Sequence, residues 1–301
     1  MDVSVCIPTF RRPARLDLLL HDLEQQAHPP IEVIVVDNDA AASARAVVDA
    51  HRSTSPYALR YAVEPRQNIS HARNCSLRLA SGAWLAFVDD DERVPRSWLA
   101  RLAAAASRFR ADAVLGPVLP VLPPAAPSWI QRGRFYDWVR MPSGSTIAPN
   151  RLRLGNALVR ADLLQGLHGP FDPALGVTGG EDGDLLARLA MRGARFVWCD
   201  EAPVHEPIEP ARLSLRWLLR RALRGGQDFA RHTLNGRYGE ATRTVRAMLA
   251  VRATAQLGAS LVLALLCLPA GRHRSALWLT RASANLGKLT FFWGWHYREY
   301  A

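Results

Sequence analysis

The chain of 301 residues contains only one lysine, Lys288, although lysine and arginine together number 38. Acidic residues number 27, so the formal net charge is +11. A basic balance of this kind is typical of proteins that bind nucleic acid, anionic lipid or phosphorylated substrates. Almost all of the excess is arginine, and codon composition explains this skew more easily than a function does, although guanidinium groups do suit bidentate phosphate binding.

Cysteine is also scarce, and the four cysteines form no C-x-x-C pair: Cys6, Cys75, Cys199 and Cys267. This spacing indicates neither a zinc site nor a disulfide framework, and we expect a reducing compartment. The N-terminus runs directly into the apolar segment 3–7 without a basic region, so we expect no cleaved signal peptide. Apolar residues make up 49% of the chain, which is typical of a folded globular protein.

The first third of the chain alternates between strand-like and helix-like patterns. Strands are predicted at 3–7, 31–36, 59–62 and 84–88, and helices at 15–26, 41–51 and 70–80. This alternation predicts an α/β fold with a doubly wound, mostly parallel sheet. Ligands of such sheets bind beyond the carboxyl ends of the strands.

A proline-rich connection, GPVLPVLPPAAP at 116–127, interrupts this alternation, and it cannot form a regular helix or a central strand. A further strand is predicted at 155–160 and a further helix from Gly179 onward. We therefore expect three regions, with bounds 1–115, 116–210 and 211–301.

Three successive carboxylates, Asp89, Asp90 and Asp91, follow the predicted strand at 84–88. Because side chains in a strand alternate between faces, Asp89 and Asp91 are predicted to project to one face and Asp90 to the other. Carboxylates held close together repel each other unless a cation lies between them, and a hard divalent cation prefers oxygen ligands. The alternative is a solvated acidic loop. Polar segments at 8–12 and 37–39 follow two other strands, so all three are predicted to share one crevice.

A second acidic cluster, Glu181, Asp182 and Asp184, follows the pair Gly179-Gly180 at the start of a predicted helix. Complementing the helix dipole explains one of these acids. The functional interpretation is that one carboxylate is a general base that accepts a proton from a hydroxyl group.

Five segments, in this order, resemble the inverting family 2 glycosyltransferases with the GT-A fold: VSVCIPTFRR, VIVVDNDA, NISHARN, WLAFVDDDE and TGGEDGDLLARL. Within that family they are similar to the bacterial succinoglycan-type transferases of the ExoM kind. The resemblance covers about residues 1 to 230. It implies a GT-A, Rossmann-like, mostly parallel sheet flanked by helices.

The resemblance also implies which residues hold the nucleotide-sugar donor. Asp37 matches the acid that reads the uracil or ribose. Arg11 stands where the family usually has asparagine, so the resemblance assigns it no role. The matching donor residues lie in the first four segments: Pro8, Thr9, Arg12, Asp37, Asn68, Arg73, Asn74, Asp89 and Asp90.

The metal and the base are implied in the same way. Asp89 and Asp91 match the D-x-D pair, whose second member coordinates Mn²⁺ or Mg²⁺ on the diphosphate, and Asp182 matches the catalytic base, with Glu181 as the first alternative. His205 matches a late metal ligand of GT-A enzymes. A lone histidine is more often structural, and Glu206 competes for the position.

The implied activity is transfer of a sugar, by default from UDP-hexose, to a hydroxyl of a glycan or polyprenyl-linked acceptor, with inversion at the anomeric carbon. We expect it at the cytoplasmic face of the inner membrane. The alternative is an inactive basic module of the same fold that binds membrane or nucleic acid. The acidic clusters would repel a polyanion, so no nucleic acid is expected.

The C-terminal region is predicted to be helical and membrane-associated. Its uncharged segment 253–271 is close to the ~20 residues that a spanning helix needs, but basic residues follow it, which favours a surface-lying or re-entrant hairpin turned near 269–271. The aromatic segment 291–297 suits a bilayer interface, and the alternative is a buried helix with an aromatic homodimer contact. Arg216 and Arg220 are candidate phosphate or acceptor contacts, or part of a solvated basic face.

Overall fold

The computed structural model describes residues 1–297. The chain divides into two compact units. The first comprises Met1–Leu119 and Trp138–Glu206, and the second comprises Pro120–Asp137 and the chain from Pro207 onward. Residues 120–137 therefore belong with the C-terminal helices, a grouping that the sequence did not predict.

The first unit is built on a seven-stranded sheet with the order β3-β2-β1-β4-β7-β5-β8, and β6 pairs with β9 in a separate two-stranded sheet. β1, β2, β3 and β4 pair in parallel, whereas β7 is antiparallel to both of its neighbours. The mostly parallel sheet is thus confirmed. The strands in residues 1–297 are β1 (Val3–Thr9), β2 (Glu32–Asp37), β3 (Ala58–Val63), β4 (Trp84–Val88), β5 (Ala113–Leu115), β6 (Val118–Val121), β7 (Asn156–Arg160), β8 (Phe196–Trp198) and β9 (Val204–Pro207).

Helices cover both faces of this sheet. Because side chains alternate along a strand, Val33 and Val35 join one apolar core while Ile34 and Val36 join the other. The helices in residues 1–297 are α1 (Pro13–Glu24), α2 (Arg45–His51), α3 (Ile69–Leu79), α4 (Trp98–Phe109), α5 (Ser128–Gly133), α6 (Glu181–Met191), α7 (Leu215–Leu234), α8 (Arg243–Leu266) and α9 (Arg272–Phe292).

The two cores place different helices on the two faces. Leu16 and Leu20 of α1 pack with Trp98 of α4 on one face. Ala72 of α3 and Leu185 of α6 pack on the other. α3 and α6, which carry predicted site residues, therefore lie on the same side of the sheet.

The strand register brings the polar loops together. Thr9 at the end of β1 pairs with Asp37 at the end of β2, which in turn pairs with Val63. On the other side of β1, Cys6 pairs in parallel with Phe87 near the end of β4. The carboxyl ends of β1, β2 and β4 thus lie along one edge, as predicted for the crevice.

Helix α2 begins four residues later than predicted. Ala42 adopts a left-handed conformation with φ 54°, and the Ala44 amide donates to the Asp37 carboxylate at 2.8 Å. These contacts stabilise a loop at 38–44, so residues 41–44 do not join the helix.

The second unit contains three long helices. α7 and α9 approach closely where Gly226 faces Ala284 and Gly287 faces Leu223: a Cβ on either glycine would lie 1.9 or 2.0 Å from a carbonyl oxygen of the other helix. α8 ends at Leu266 and α9 begins at Arg272, and the two pack together, so the predicted hairpin turn is confirmed.

Helix α8 exposes most of its apolar surface. Within residues 1–297 it is the one helix whose length and composition would allow it to cross a membrane, and only 17% of its most apolar window is buried. Ala253, Ser260 and Ala264 are buried along one side of α8. Leucine and valine side chains are exposed in its C-terminal half and just beyond it: Leu261, Val262, Leu265, Leu266 and Leu268.

Candidate active site

The acidic triplet lies in a turn. β4 ends at Val88, and the Glu92 amide donates to the Asp89 carbonyl at 3.1 Å, while the Glu92 carboxylate accepts from the Asp89 amide at 3.0 Å. The predicted alternation of Asp89 and Asp91 against Asp90 is therefore wrong, because the strand has ended before the triplet begins. Asp90 and Asp91 instead share one partner, Arg12.

Arg12 connects the loop after β1 to this turn. Its Nη1 lies 3.1 Å from Asp90 Oδ1 and 3.0 Å from Asp91 Oδ2. The Thr9 hydroxyl donates to Asp90 Oδ2 at 2.8 Å. The polar segments after β1 and β4 therefore meet, as predicted, because these two strands are neighbours in the sheet.

Arg73 connects the acidic turn to the second acidic cluster. This arginine of α3 is only 6% exposed. Its Nη2 donates to Asp89 Oδ1 at 3.3 Å and its Nη1 donates to Glu181 Oε1. One buried guanidinium thus bridges residues that are distant in sequence, and the two acidic clusters share one site.

Asp182 is half-buried at the start of α6. Its Oδ2 accepts from the Leu154 amide at 3.2 Å and its Oδ1 from the Gly183 amide at 2.7 Å. Burial acts to raise the pKa of Asp182, but Arg73, Arg153 and these two amides lower it on balance. The carboxylate is therefore ionised at neutral pH. The neighbouring Glu181 is buried and bound by Arg73.

Sequence reasoning missed Arg153 and Leu154. They lie between a 3₁₀ turn, Pro149–Arg151, and β7, in a segment without a motif. The Arg153 guanidinium carbon lies 4.0 Å from the centroid of the Trp138 ring. The next residue after Leu154 is Gly155, where an added Cβ would lie 3.1 Å from Glu92 Oε1. This short segment thus borders both acidic clusters.

Asp37 is fully buried and holds the loop after β2. Its carboxylate accepts from the amides of Asp39 at 3.0 Å and Ala44 at 2.8 Å, and from the Tyr61 hydroxyl at 2.9 Å. Burial and the Asp37 charge raise the pKa of Tyr61. The neighbouring Asn38, which belongs to the predicted polar segment 37–39, accepts from the Asn68 amide at 2.8 Å.

The side chains of Asn68 and Asn74 bind protein backbone. Asn68 caps α3 by accepting from the Ser70 amide at 2.9 Å, and its Nδ2 donates to the Pro173 carbonyl at 2.9 Å. Asn74 donates to the Phe171 carbonyl at 2.7 Å and accepts from the Phe171 amide at 3.0 Å. Both residues therefore fix the segment that precedes α6.

Residues 4–161, more than half of the chain, match the family model described as Glycosyl transferase family 2. The chain belongs to this family. The predicted resemblance is therefore confirmed, and the protein is a family 2 glycosyltransferase.

Individual relatives agree with this assignment. The chain is 37% identical over 295 residues to the succinoglycan biosynthesis protein ExoM of Rhizobium meliloti, covering 96% of this chain and 92% of that protein. It is 29% identical to a validoxylamine A glucosyltransferase of Streptomyces hygroscopicus subsp. limoneus, covering 70% of this chain and 54% of that protein.

Two solved structures share the fold. The mannosyltransferase PcManGT from Pyrobaculum calidifontis, in complex with GDP-Man and Mn²⁺, superposes with a TM-score of 0.66 at 22% identity, covering 97% of this chain and 87% of that chain. The S. aureus TarS 1-349 complex with UDP gives a TM-score of 0.57 at 18% identity, covering 99% and 93%. The predicted GT-A fold is confirmed.

The charges of the acidic turn of this glycosyltransferase fit a divalent cation. Burial raises the pKa of Asp89, with Arg73 opposing the rise and Asp91 and Asp182 adding to it. Burial, opposed by Arg12, raises the pKa of Asp90 to about 6. Burial and then the charge of Asp89 raise the pKa of Glu92 well above its usual range. A divalent cation would relieve this repulsion, and carboxylate oxygens are hard ligands of the kind that Mn²⁺ and Mg²⁺ accept.

The expected trio of Asp89, Asp91 and His205 is not assembled as a metal-binding set. No group of three His, Cys, Asp or Glu side chains suited to a metal occurs in the described residues 1–297. His205 forms an antiparallel bridge with Arg93, so the two side chains share a face, and Arg93 binds Asp22. Glu206 projects oppositely, and its charge adds to the rise in the pKa of Glu92. This geometry favours Glu206 over His205 as the neighbour of the acidic turn.

The remaining predicted residues differ in exposure. Pro8 is buried within β1. Arg11 has a φ of 54° and pairs with Asp39 at 3.2 Å through a side chain that is 67% exposed. Arg216 and Arg220 are exposed on α7 of the second unit. Their exposure is compatible both with contact to a phosphate or acceptor and with a solvated basic face.

Proposed function

We propose that this family 2 enzyme is a metal-dependent, inverting hexosyltransferase. It moves a sugar from a nucleotide diphosphate, by default UDP, to a hydroxyl of a glycan or polyprenyl-linked acceptor. The observation that carries the proposal is the bridge made by Arg73, because it places a carboxylate cluster suited to a diphosphate-bound cation beside a second cluster suited to a base.

Asp182 is the better candidate for the base within its cluster. Its carboxylate is half-buried and ionised, and it is held by two backbone amides. Glu181 is 4% exposed and is engaged by Arg73, so an acceptor hydroxyl has less access to it. A general base must lie within hydrogen-bond reach of the proton that it removes.

The proposed step is a single displacement. Asp182 accepts the proton of the acceptor hydroxyl as its oxygen forms a bond to the anomeric carbon. The bond from that carbon to the diphosphate oxygen breaks on the opposite side, and the nucleoside diphosphate leaves with the electron pair. One displacement inverts the configuration. A divalent cation held by Asp91 and Asp89 would supply Lewis-acid stabilisation of the leaving diphosphate.

The donor is assigned to the loops after β1 and β2. Thr9 and Arg12 position Asp90 and Asp91. Pro8 lies just before this loop, buried within β1. Asp37 acts through the loop that it holds, since its own carboxylate is fully buried. The two similar structures are complexes with GDP-Man and with UDP, so both nucleotides belong in a donor test.

Two observations support a glycan or lipid-linked acceptor: the similarity to ExoM and the exposed apolar surface of α8. ExoM is named for succinoglycan biosynthesis, which supports a glycan acceptor. The exposed apolar surface of α8 supports attachment to the cytoplasmic membrane surface. Arg216 and Arg220 are candidate contacts for the phosphates of a lipid-linked acceptor. A second copy of this chain is the alternative occupant of the C-terminal apolar surface.

A donor panel tests the proposal. Purified protein is incubated with UDP-glucose, UDP-galactose, UDP-N-acetylglucosamine and GDP-mannose, and released nucleotide is measured with Mn²⁺, with EDTA, and with EDTA followed by excess Mn²⁺. We expect release with at least one donor, loss in EDTA and recovery with Mn²⁺. Full activity in EDTA would contradict the proposed metal dependence. Absence of nucleotide release from every donor would favour an inactive module of the same fold.

A further inference from the structure

Residues 165–180, which lead to the proposed base, contain no helix or strand. Long loops of this type need external contacts to hold one conformation. The loop ends in two left-handed glycines, Gly179 with φ 86° and Gly180 with φ 87°, and no side chain caps the start of α6. Turns within the loop, such as the one in which the Gly179 amide donates to the Leu175 carbonyl at 2.8 Å, shape its backbone, but these turns do not join the loop to the rest of the unit.

One face of α3 supplies the missing contacts. The Asn74 amide group exchanges two hydrogen bonds with the backbone of Phe171, at 2.7 and 3.0 Å. The Ser70 hydroxyl donates to the Asp172 carbonyl at 2.8 Å, and Asn68 donates to the Pro173 carbonyl at 2.9 Å. All three side chains are at most 9% exposed. We name Asn68, Ser70 and Asn74 the α3 anchor.

The loop approaches the α3 anchor very closely at Gly176. A Cβ added at this residue would lie 1.8 Å from Asn68 Oδ1 and 2.8 Å from Ser70 Oγ. Any residue larger than glycine would have to displace either the loop or the side chains of Asn68 and Ser70, and both changes break this contact. The contact is thus specified from both sides, by polar groups on the helix and by glycine on the loop.

The same helix also contacts both acidic clusters directly. Ser70, Arg73 and Asn74 are three and four residues apart, so they lie on one side of α3. Arg73 binds both Asp89 and Glu181, while its neighbours bind the loop that carries Glu181 and Asp182. α3 therefore fixes the distance between the acidic turn and the proposed base.

We propose that Asn68, Ser70 and Asn74 are positioning residues, which hold the loop before α6 so that Asp182 stays aligned with the donor bound at the acidic turn. This inference rests on the proposed function. It differs from the role that the resemblance implies for Asn68 and Asn74, because the amide groups of both residues are engaged by protein backbone.

The two roles predict different kinetics. A residue that touches the donor changes donor affinity when it is removed. A residue that aligns the base changes the chemical step, and a misplacement of about 1 Å can cost roughly 100-fold in rate. The kinetic test therefore separates kcat for nucleotide release from the KM for the donor.

Asn74→Ala and Gly176→Ala perturb the contact from its two sides. With the donor that gives release in the panel, we expect kcat to fall about 10- to 100-fold in each variant while the donor KM changes less than about 3-fold. Ser70→Ala removes one bond and should show a smaller loss of kcat.

Gln26→Ala is the matched control. Gln26 is a buried amide that also binds backbone, at the Pro95 carbonyl and the Leu99 amide, beyond the end of α1. Its loss should lower the thermal midpoint without a comparable loss of kcat. A raised donor KM with normal kcat in Asn74→Ala, or equal losses of kcat in Asn74→Ala and Gln26→Ala, would overturn the proposal.

Hydrogen exchange provides a readout that does not depend on activity. We expect faster amide exchange restricted to residues 171–182 in Asn74→Ala, and none there in Gln26→Ala. If the wild-type chain releases nucleotide from no donor, the proposed function fails. Hydrogen exchange alone then tests whether the α3 anchor holds the loop. Unchanged exchange at 171–182 in Asn74→Ala would then overturn it.

Discussion

At the scale of single residues, one guanidinium determines how the site is charged. Arg73 is nearly fully buried and contacts an acid from each cluster, so it keeps two groups of like charge close together. It also lowers the pKa of Asp182 against the effect of burial. Removing one partner of such a buried ion pair leaves an uncompensated charge.

Arg153 allows a gentler test of the same electrostatics. Burial acts to raise the pKa of Asp182, and Arg153 is one of the groups that lower it. Arg153→Gln should therefore raise this pKa, and because the base must be unprotonated, the acid limb of the kcat/KM profile should move to higher pH. Activity on the alkaline plateau should change less than about 3-fold, since the reacting groups themselves remain.

The measurement is a profile of nucleotide release between pH 4 and 9. Arg151→Gln, an exposed arginine two residues earlier, is the control and should keep the wild-type profile. Identical acid limbs in Arg153→Gln and Arg151→Gln would contradict the influence of Arg153 on Asp182.

At the scale of elements, His51 of α2 joins α2 to α1. Its Nδ1 lies 2.8 Å from Glu24 Oε1 and its Nε2 lies 3.0 Å from Asp17 Oδ1. Burial acts to lower the pKa of His51, but the bonds to Glu24 and Asp17 raise it on balance above 6.5. The protonated imidazole is therefore favoured in the folded state.

This contact should make stability depend on pH. A histidine whose pKa is raised by folding contributes its full stabilisation below pH 6.5, and the contribution is lost as the pH rises through the folded-state pKa. His51→Gln should lower the free energy of unfolding at pH 6 by about 1 kcal/mol or less, and by a smaller amount at pH 9. Urea unfolding at both pH values measures this difference, with the exposed His21→Gln as control. An equal loss at the two pH values would contradict the expectation.

Sequence patterns predicted the elements of the first unit well where hydrophobic periodicity decides. β4 was predicted at its observed bounds, and the polar ends of β1 and β2 meet as expected. The patterns failed where tertiary hydrogen bonds decide. The acidic turn is closed by Glu92, and the backbone of Leu154 reaches Asp182 from a segment without periodicity. Only the fold shows that the polar groups of Asn74 bind Phe171.

At the scale of the whole molecule, charge and apolar surface are separated along α8. Arg243, Arg246 and Arg252 lie in its N-terminal half, and the exposed leucines lie in its C-terminal half. α9 packs along α8 and carries Arg272, Arg274, Arg281 and Lys288. A spanning α8 would take these charges into the bilayer, which is costly. The charges of the helix pair therefore support the proposed surface attachment over a spanning α8.

Substitution of the exposed leucines tests this attachment. Changing Leu261, Leu265 and Leu266 to glutamine should weaken binding to anionic lipid vesicles at least 10-fold, because each buried leucine contributes about 1.5–3 kcal/mol. The matched control changes the exposed Thr244, Ala247 and Thr254 to glutamine and should retain binding. Flotation of protein with vesicles is the readout. If both triple variants float equally well, a membrane role for α8 is contradicted. The same holds if the wild-type chain does not float with the vesicles.

In the proposed reaction, Asp182 removes the proton of the acceptor while the donor is held at the acidic turn. The most direct test compares nucleotide release and donor affinity in the wild-type chain, Asp182→Asn and Glu181→Gln. We predict that Asp182→Asn loses about 10²- to 10⁴-fold in kcat and keeps its donor Kd within about 3-fold, because the carboxylate acts only in the chemical step. Turnover in Asp182→Asn comparable to that of the wild-type chain would contradict the account.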